Sequence, residues 1–368
     1  MAPEAVRATL PGTDYVDPAV FELERERIFF KRWYYLGRAD ALAEPGDYVV
    51  YDVAGESIVV VCGKDRVLRG FYNVCRHRGS RLCEPESGHV RGAIKCPYHA
   101  WTYSLDGRLI GTPMVAEEEV DRSSLGLWPV TADVWAGFLF VNFSESPEPL
   151  VDTLAAEPES PLPLERFGPL GELRVGHRTV VDVSANWKVH VENFNECLHC
   201  PTVHPELVAV VPAYRRGDVL EEGRDDGGVA ITDGGTSLTR TGRSSLPVMP
   251  GFEEHEATSI YSIFVFPNMF LDISPTSAIA TCLHPRGPEK TTVVTEYLFR
   301  QEVLDDPDLD PTEVIEFNEL VNEQDFVVCE RVQRGVRSRA FTHGVYARKD
   351  ELPYAFNQRY LALRETAS

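Results

Sequence analysis

Basic residues are scarce: 36 Lys and Arg stand against 57 Asp and Glu, a formal net charge of −21. That balance argues against nucleic acid or an anionic membrane surface, both of which select basic patches. It leaves a faint preference for neutral or cationic small molecules. No apolar run approaches the roughly 18 residues needed to span a bilayer. The opening residues, Met1-Ala2-Pro3-Glu4-Ala5-Val6-Arg7, lack the basic stretch and apolar core of a signal peptide. There is no internal repeat. The expectation is a cytoplasmic protein whose eight cysteines are reduced thiols or metal ligands and not disulfides.

What is present suits two domains, because 368 residues exceed the roughly 250–300 at which one core stops growing. Asp17-Pro18 opens a helix expected over Ala19 to Trp33, within an N-terminal segment 1–40 that packs on the second domain. From Gly46 the pattern turns to short strands, Tyr48 to Tyr51 and Ile58 to Val61, separated by turns at Ala54-Gly55 and Gly63-Lys64-Asp65. This reads as a small β domain, 41–150, followed by a Pro-, Glu- and Ser-rich linker over 144–172. The second domain, 151–368, combines a strand at Arg174–Val183, a helix from Asn186 to about Cys200 and buried strands at Tyr261–Ile273 and Ala278–Arg300. A long amphipathic helix runs from Thr312 to about Ser338, and the tail after Glu351 is helical. Residues 216–246, with seven glycines, read as a mobile loop or lid. The fold class is α+β: an all-β domain, then an antiparallel sheet wrapped by helices.

Two short runs carry metal-binding chemistry in the first domain. Cys75-Arg76-His77 is followed, with 18 residues between, by Cys96-Pro97-Tyr98-His99. Two thiolates and two imidazoles fit tetrahedral zinc. They also fit a [2Fe–2S] cluster with both Cys on one iron and both His on the other. The mixed Cys/His pairing within each run favours the cluster, since zinc modules usually separate Cys pairs from His pairs. Gly79, Gly92 and Pro97 let backbone amides approach the sulfurs. Cys83 is left as a buried thiol.

In the second domain, large apolar residues at Trp187, Val191, Phe194 and Leu198 form one helical stripe, and Glu196 and His199 neighbour each other on a different face. His204 lies beyond Pro201, whose bend lets both imidazoles meet one ion. On the helix from Thr312, the stripe Val314, Phe317, Val321, Val328 and Val332 has Asp325 at its centre. A carboxylate on a core face needs a cation or strong donors. Two His and one Asp make a 2-His-1-carboxylate iron site with open positions. The competing readings are an Arg-paired Asp with two surface histidines, or a redox or zinc pair at Cys197-x-x-Cys200.

Cys75-Arg76-His77-Arg78-Gly79 with Cys96-Pro97-Tyr98-His99-Ala100-Trp101 resembles the Rieske domain of the ring-hydroxylating, Rieske-type non-haem iron oxygenases. Asn186-Trp187-Lys188, Glu192 to His199 with His204-Pro205, and Asn322-Glu323-Gln324-Asp325 resemble that family's iron-binding segments. The resemblance implies a [2Fe–2S] cluster on Cys75, His77, Cys96 and His99, and Fe(II) on His199, His204 and Asp325. It implies electrons from a separate reductase or ferredoxin, activation of O2 beside a small-molecule substrate, and a homotrimer. Within it, Glu196 stands where many members have Asp and links His99 of one subunit to His199 of the next.

The Glu-Cys-x-His-Cys-Pro run is similar to family members that oxidise quaternary ammonium compounds such as glycine betaine, carnitine and stachydrine. The implied reaction is monooxygenation or oxidative N-demethylation. Such substrates call for cation–π partners, and Phe194, Tyr261, Phe264, Phe266 and Phe270 are candidates. Hydroxylation or O-demethylation of an aromatic compound is the alternative. A non-enzymatic iron–sulfur electron carrier would need only the first motif.

Overall fold

The computed structural model describes residues 7–156, 170–220 and 227–365. The chain divides into a unit of Phe29–Asp152 and a second unit joining the residues up to Ile28 with those from Thr153 onward. No helix among the described residues is long and apolar enough to cross a membrane.

The first unit is built from strands. They are β1 (Tyr34–Arg38), β2 (Asp47–Val53), β3 (Glu56–Cys62), β4 (Leu68–Tyr72), β5 (Ser87–His89), β6 (Ala93–Lys95), β7 (Thr102–Ser104), β8 (Leu109–Gly111), β9 (Pro129–Trp135) and β10 (Phe138–Asn142). Seven form an antiparallel sheet in the order β1-β10-β9-β4-β3-β2-β5, and β6-β7-β8 form a second, three-stranded sheet. The run Ile58-Val59-Val60-Val61 is fully buried on both faces, as an unbroken β-branched run in a central strand should be. Val59, Val61, Phe71, Ile94, Trp101 and Tyr103 share one core with Cys75 and Cys96, so the two Cys/His loops rest on packed strands.

In the second unit, β11 (Arg174–Val183), β12 (Val229–Ala230), β13 (Ser259–Val265), β14 (Met269–Ser274), β15 (Ser277–Gly287) and β16 (Lys290–Phe299) form an antiparallel sheet in the order β11-β16-β15-β14-β13-β12. The two runs expected as buried strands are thus two hairpins. Phe266-Pro267-Asn268, with a cis proline, turns the first, and Gly287 with φ 157° ends β15 at the second. Around it lie helices α1 (Pro18–Glu24), α2 (Trp187–Phe194), α3 (Cys200–Val203), α4 (Pro205–Val210), α5 (Thr312–Val336) and α6 (Glu351–Glu365), with a short helical turn at Gln301–Asp305 and a two-stranded pairing of Arg7–Ala8 with Val345–Tyr346.

The helices differ from expectation in three places. Asp17 caps α1 by accepting from the Ala19 amide at 2.8 Å, but α1 passes into a π-helical turn at Arg25–Phe29 and does not reach Trp33. There the chain is taken up by β1, all of whose residues are buried. Helix α2 ends at Phe194, where Asn195 caps it, and does not continue to Cys200. Leu198, the last member of the proposed stripe, is 41% exposed, whereas every residue from Trp187 to Val191 is buried. Pro201 lies in the first turn of α3, where a missing amide costs nothing. On α5 the buried face runs Val314, Phe317, Cys329, Gln333 and Val336, while Val332 is 41% exposed. Asp325 stays in register with that face, four residues before Cys329.

Buried polar contacts tie the helices of the second unit together. The Glu24 carboxylate accepts from Trp187 Nε1 at 2.8 Å and Tyr360 Oη at 2.9 Å, and pairs with the fully buried Lys188 ammonium. Such a pair is costly to break from one side. Of the presumed linker, residues 157–169 lie outside the described residues, and Leu150–Ala155 is a short helix. Of residues 216–246, 221–226 lie outside them. The rest carries β12 and buries Val229, Ile231, Ser237, Leu238 and Thr239.

Candidate metal centres

The two Cys/His loops of the first unit are built alike. The Cys75 amide donates to Ser80 O at 2.8 Å and the Gly79 amide to Cys75 O at 3.0 Å. The Cys96 amide donates to Trp101 O at 2.8 Å and the Ala100 amide to Cys96 O at 3.1 Å. The fifth residue of each loop adopts a left-handed backbone, Gly79 at φ 73° and Ala100 at φ 60°. Glycine takes that conformation freely and alanine at a cost. The turn is therefore held by its surroundings at the second loop.

Each loop presents its imidazole on the same side. The His77 and His99 rings lie 4.6 Å apart, and His77 stacks on Trp101 at 4.6 Å with 8° between planes. Their Nδ1 atoms are buried and have no hydrogen-bond partner among the described residues. A buried ring nitrogen left unpaired is costly unless a metal takes it, so the loops fit a group that binds two Nδ1 atoms and two thiolates. The Cys75 thiol interacts with that of Cys96 and lies 3.3 Å from Tyr103 Oη, which also accepts from the Arg76 amide at 3.1 Å. Tyr103 was not singled out from sequence, where it reads as one more aromatic in a β strand. Cys83 is buried outside the set, and burial pushes its thiol up to about 11.

In the second unit, His199, His204 and Asp325 bring one donor atom each to within 4.8 Å of one another. Asp325 Oδ1 lies 2.9 Å from His204 Nε2 and 3.4 Å from His199 Nε2. The Nδ1 atoms point away from that centre. His199 Nδ1 donates to Glu196 Oε1 at 2.5 Å, and His204 Nδ1 donates to Gln324 Oε1 at 2.7 Å. Both rings are thus held with Nδ1 outward and Nε2 turned to the centre, where a metal would take it. Glu196 and His199 meet across the loop between α2 and α3 and not along a helix face, and the Leu198 amide holds the other Glu196 oxygen. Burial alone would lower the His199 pKa, but Asp325 and Glu196 outweigh it and push it to about 9. No Arg pairs with Asp325 among the described residues, so the metal-free reading of that carboxylate lacks its partner.

One expectation fails here. Cys197 and Cys200 form a disulfide with Cα atoms 5.0 Å apart, because the Cys200 amide folds back on Cys197 O at 3.2 Å. The other six cysteines are free and buried.

A cavity of about 400 Å³ opens beside the triad, with His199, His204 and Asp325 in its wall. One face of the sheet makes the opposite wall: Ile260, Ser262 and Phe264 from β13, with Phe270 and Asp272 from β14. Phe194 stacks on Phe270 at 4.0 Å, and Phe264 lies 5.6 Å from Phe270. Of the aromatic candidates, Phe194, Phe264 and Phe270 line the cavity, whereas Tyr261 and Phe266 do not. Strand alternation turns Tyr261 to the other face of β13, and Phe266 packs on Phe356 at 6.3 Å.

In the second unit, sequence reasoning missed three polar groups. Gln324 was read only as a neighbour of Asp325. His190 is buried on the cavity wall with Nε2 unpaired among the described residues, and burial pushes it down to about 4, so it is neutral. Asp272 accepts from Ser262 Oγ at 2.5 Å. Burial raises its carboxyl, against the Ser262 hydrogen bond and with help from Asp325, to about 6. Its signal was available: a lone carboxylate between Leu271 and Ile273 in an apolar strand poses the same question as Asp325.

The model of the ring hydroxylating alpha subunit (catalytic domain) family matches residues 170–365, and that of the Rieske [2Fe-2S] domain matches residues 32–129. The chain is 30% identical to the glycine betaine monooxygenase oxygenase subunit of Chromohalobacter salexigens over 93% of its own length and 82% of that protein. It is 32% identical to the carnitine monooxygenase oxygenase subunit of Acinetobacter baumannii, covering 90% and 86% of the two chains. A solved quaternary ammonium Rieske monooxygenase superposes with a TM-score of 0.80 at 28% identity, covering 98% of this chain and 96% of the other. Naphthalene 1,2-dioxygenase from a Rhodococcus species, at 21% identity and a TM-score of 0.72 over 97% and 95% of the chains, shares the fold. The chain belongs to the ring-hydroxylating, Rieske-type oxygenases, oxidoreductases that combine a [2Fe–2S] domain with a mononuclear-iron catalytic domain.

Proposed function

We propose that this chain is the terminal oxygenase of a multicomponent system that hydroxylates a quaternary ammonium compound, releasing a demethylated or otherwise cleaved amine. The observation that carries the reading is the cavity beside His199, His204 and Asp325, which joins phenylalanine faces to carboxylates. Ring faces and negative charge are what a methylated cation needs, because it offers no hydrogen-bond donor. The likeness to glycine betaine and carnitine monooxygenase oxygenase subunits supports the same class.

In this reading Cys75, Cys96, His77 Nδ1 and His99 Nδ1 hold the cluster, and His199, His204 and Asp325 hold the iron. The cluster supplies single electrons and the iron the site of O2 activation. Glu196 and Gln324 keep the Nδ1 protons of His199 and His204 in place, so both Nε2 atoms stay available. Phe194, Phe264 and Phe270 exclude water around the methyl groups. Glu196, at the edge of the iron site, is the bridge by which a neighbouring subunit's cluster is reached, in a cytoplasmic homotrimer fed by a separate reductase or ferredoxin.

The test is O2 uptake by the reconstituted enzyme, with a reductase and NAD(P)H, against trimethylammonium compounds and benzoate-type acids. Uptake coupled to an oxidised amine product, with formaldehyde where a methyl group is lost, is the expected result. Coupled turnover of the aromatic acids alone would move the chain to aromatic hydroxylation or O-demethylation. Bound iron and sulfide with no substrate-dependent uptake would favour an electron carrier.

A further inference from the structure

We propose that Asp272 is a specificity-determining residue that receives the positive charge of the substrate. The inference rests on the quaternary ammonium reading and names the residue that enforces it. Three carboxylates line the cavity: Glu196, Asp272 and Asp325. Glu196 is engaged by His199 and the Leu198 amide, and Asp325 faces the two imidazoles. Asp272 has one partner, the Ser262 hydroxyl on Oδ1. Among the described residues no Lys or Arg pairs with it, and none lines the cavity. Asp272 is half-buried with no cation of the chain beside it, so a cationic ligand that meets it offsets an otherwise uncompensated charge.

The strand register places aromatic surface beside it. On the cavity face, Ser262 pairs with Asp272 and Phe264 with Phe270, so the carboxylate and the rings are successive positions on the same two strands. A trimethylammonium group cannot donate a hydrogen bond, and it is held best by non-directional charge together with ring faces. The free oxygen of Asp272 provides the first, and Phe264 and Phe270 the second. The same carboxylate repels a benzoate-type acid. With the carboxyl at about 6, the group is ionised above neutrality and remains a counter-ion there.

The experiment compares choline with its neutral isostere 3,3-dimethyl-1-butanol, which replaces the charged nitrogen by carbon at constant shape. Binding to the holoenzyme is measured by calorimetry and turnover by coupled O2 uptake, for wild type, Asp272→Asn and Asp272→Glu. Asn keeps the acceptor for Ser262 and nearly the same volume, so the cavity is preserved. Wild type should prefer the cation by at least about tenfold in binding, the equivalent of one partly desolvated ion pair. Asp272→Asn should bring the ratio close to one, mainly by weakening choline, and Asp272→Glu should restore part of it. A cation preference that survives in Asp272→Asn overturns the role of Asp272 and leaves the substrate reading standing. A wild type that binds neither choline nor any other quaternary ammonium compound overturns both. Metal contents unchanged across the three proteins show that the ratio reports the cavity and not the iron site.

Discussion

His204 Nδ1 donates to Gln324 Oε1 at 2.7 Å, and Gln324 directly precedes Asp325 on α5. One helix therefore carries both the carboxylate that faces the imidazole and the amide that fixes the imidazole's tautomer. Gln324 is in turn within 3.4 Å of Glu206 on α4, which limits how the amide can flip. Replacing Gln324 by Leu removes the acceptor at constant bulk and leaves a buried N–H unpaired. Iron affinity at the mononuclear site should fall by about 10- to 100-fold, the usual effect of losing such an outer partner, with the cluster's visible spectrum unchanged. Competition with a chelator measures it, and an unaltered affinity would show that the tautomer is set elsewhere.

Without a metal, the carboxylates beside His199 favour its charged form. His199 is raised to about 9 by Asp325 and Glu196, so at neutral pH its imidazole is protonated until a metal displaces that proton. The sign follows: the proton competes with the metal below about pH 9, so metal affinity rises with pH, by about tenfold per unit for one displaced proton. Loading iron-depleted protein anaerobically between about pH 6 and 8 should release a proton into weak buffer. Asp325→Ala should abolish loading at this site and leave the Rieske spectrum intact. Flat pH dependence in wild type would exclude His199 as the displaced acid, and full iron retention in Asp325→Ala would remove the carboxylate from the ligand set.

The cluster loops give a separate test. Cys75→Ser replaces a soft thiolate by a hydroxyl, which iron in such clusters holds poorly. The purified variant should lose its visible colour and its turnover while retaining mononuclear iron. A preserved Rieske-like spectrum would show that Cys75 is not a ligand of the cluster.

The chemistry was more legible in the sequence than the shape of the backbone that carries it. Cys75-x-His77 and Cys96-x-x-His99 are contiguous motifs, so spacing alone grouped them, and the structure turns both imidazoles to one side. Asp325 was found because a carboxylate on an apolar face demands a partner. The path from Phe194 to Cys200 was misread as helix because its apolar positions keep the period. Helix propensity is a weak prior there, against an Asn cap, a disulfide turn and a following proline. Gln324 and Asp272 were missed for a different reason: what each one faces is set by tertiary packing, through Leu207 and Val208 beside α5 and the β13–β14 register. Alternation along β13 would have separated Phe264 from Tyr261, had the strand's two ends been known.

In the proposed function, Glu196 is the side chain through which electrons pass from one subunit's cluster to the next subunit's iron site. Its Oε1 accepts from His199 Nδ1 at 2.5 Å, and its other oxygen takes the Leu198 amide, which locks the carboxylate in one orientation. A carboxylate can accept from several donors at once, so in an assembled oxygenase the same group can meet an imidazole of a neighbouring subunit without releasing His199. Glu196→Gln keeps the length but turns one acceptor oxygen into a donor, which cannot serve both the Leu198 amide side and an incoming N–H. Both metals should stay bound and the oligomer should persist. Turnover should nevertheless drop by at least about 100-fold, the upper end for a change one shell from the metal. Mixing the pre-reduced variant with substrate and O2 in a single turnover follows the step directly. Reoxidation of the cluster as fast as in wild type would show that electrons travel by another route. Loss of mononuclear iron would instead show that Glu196 holds the iron site together, so that the lost turnover no longer reports electron transfer.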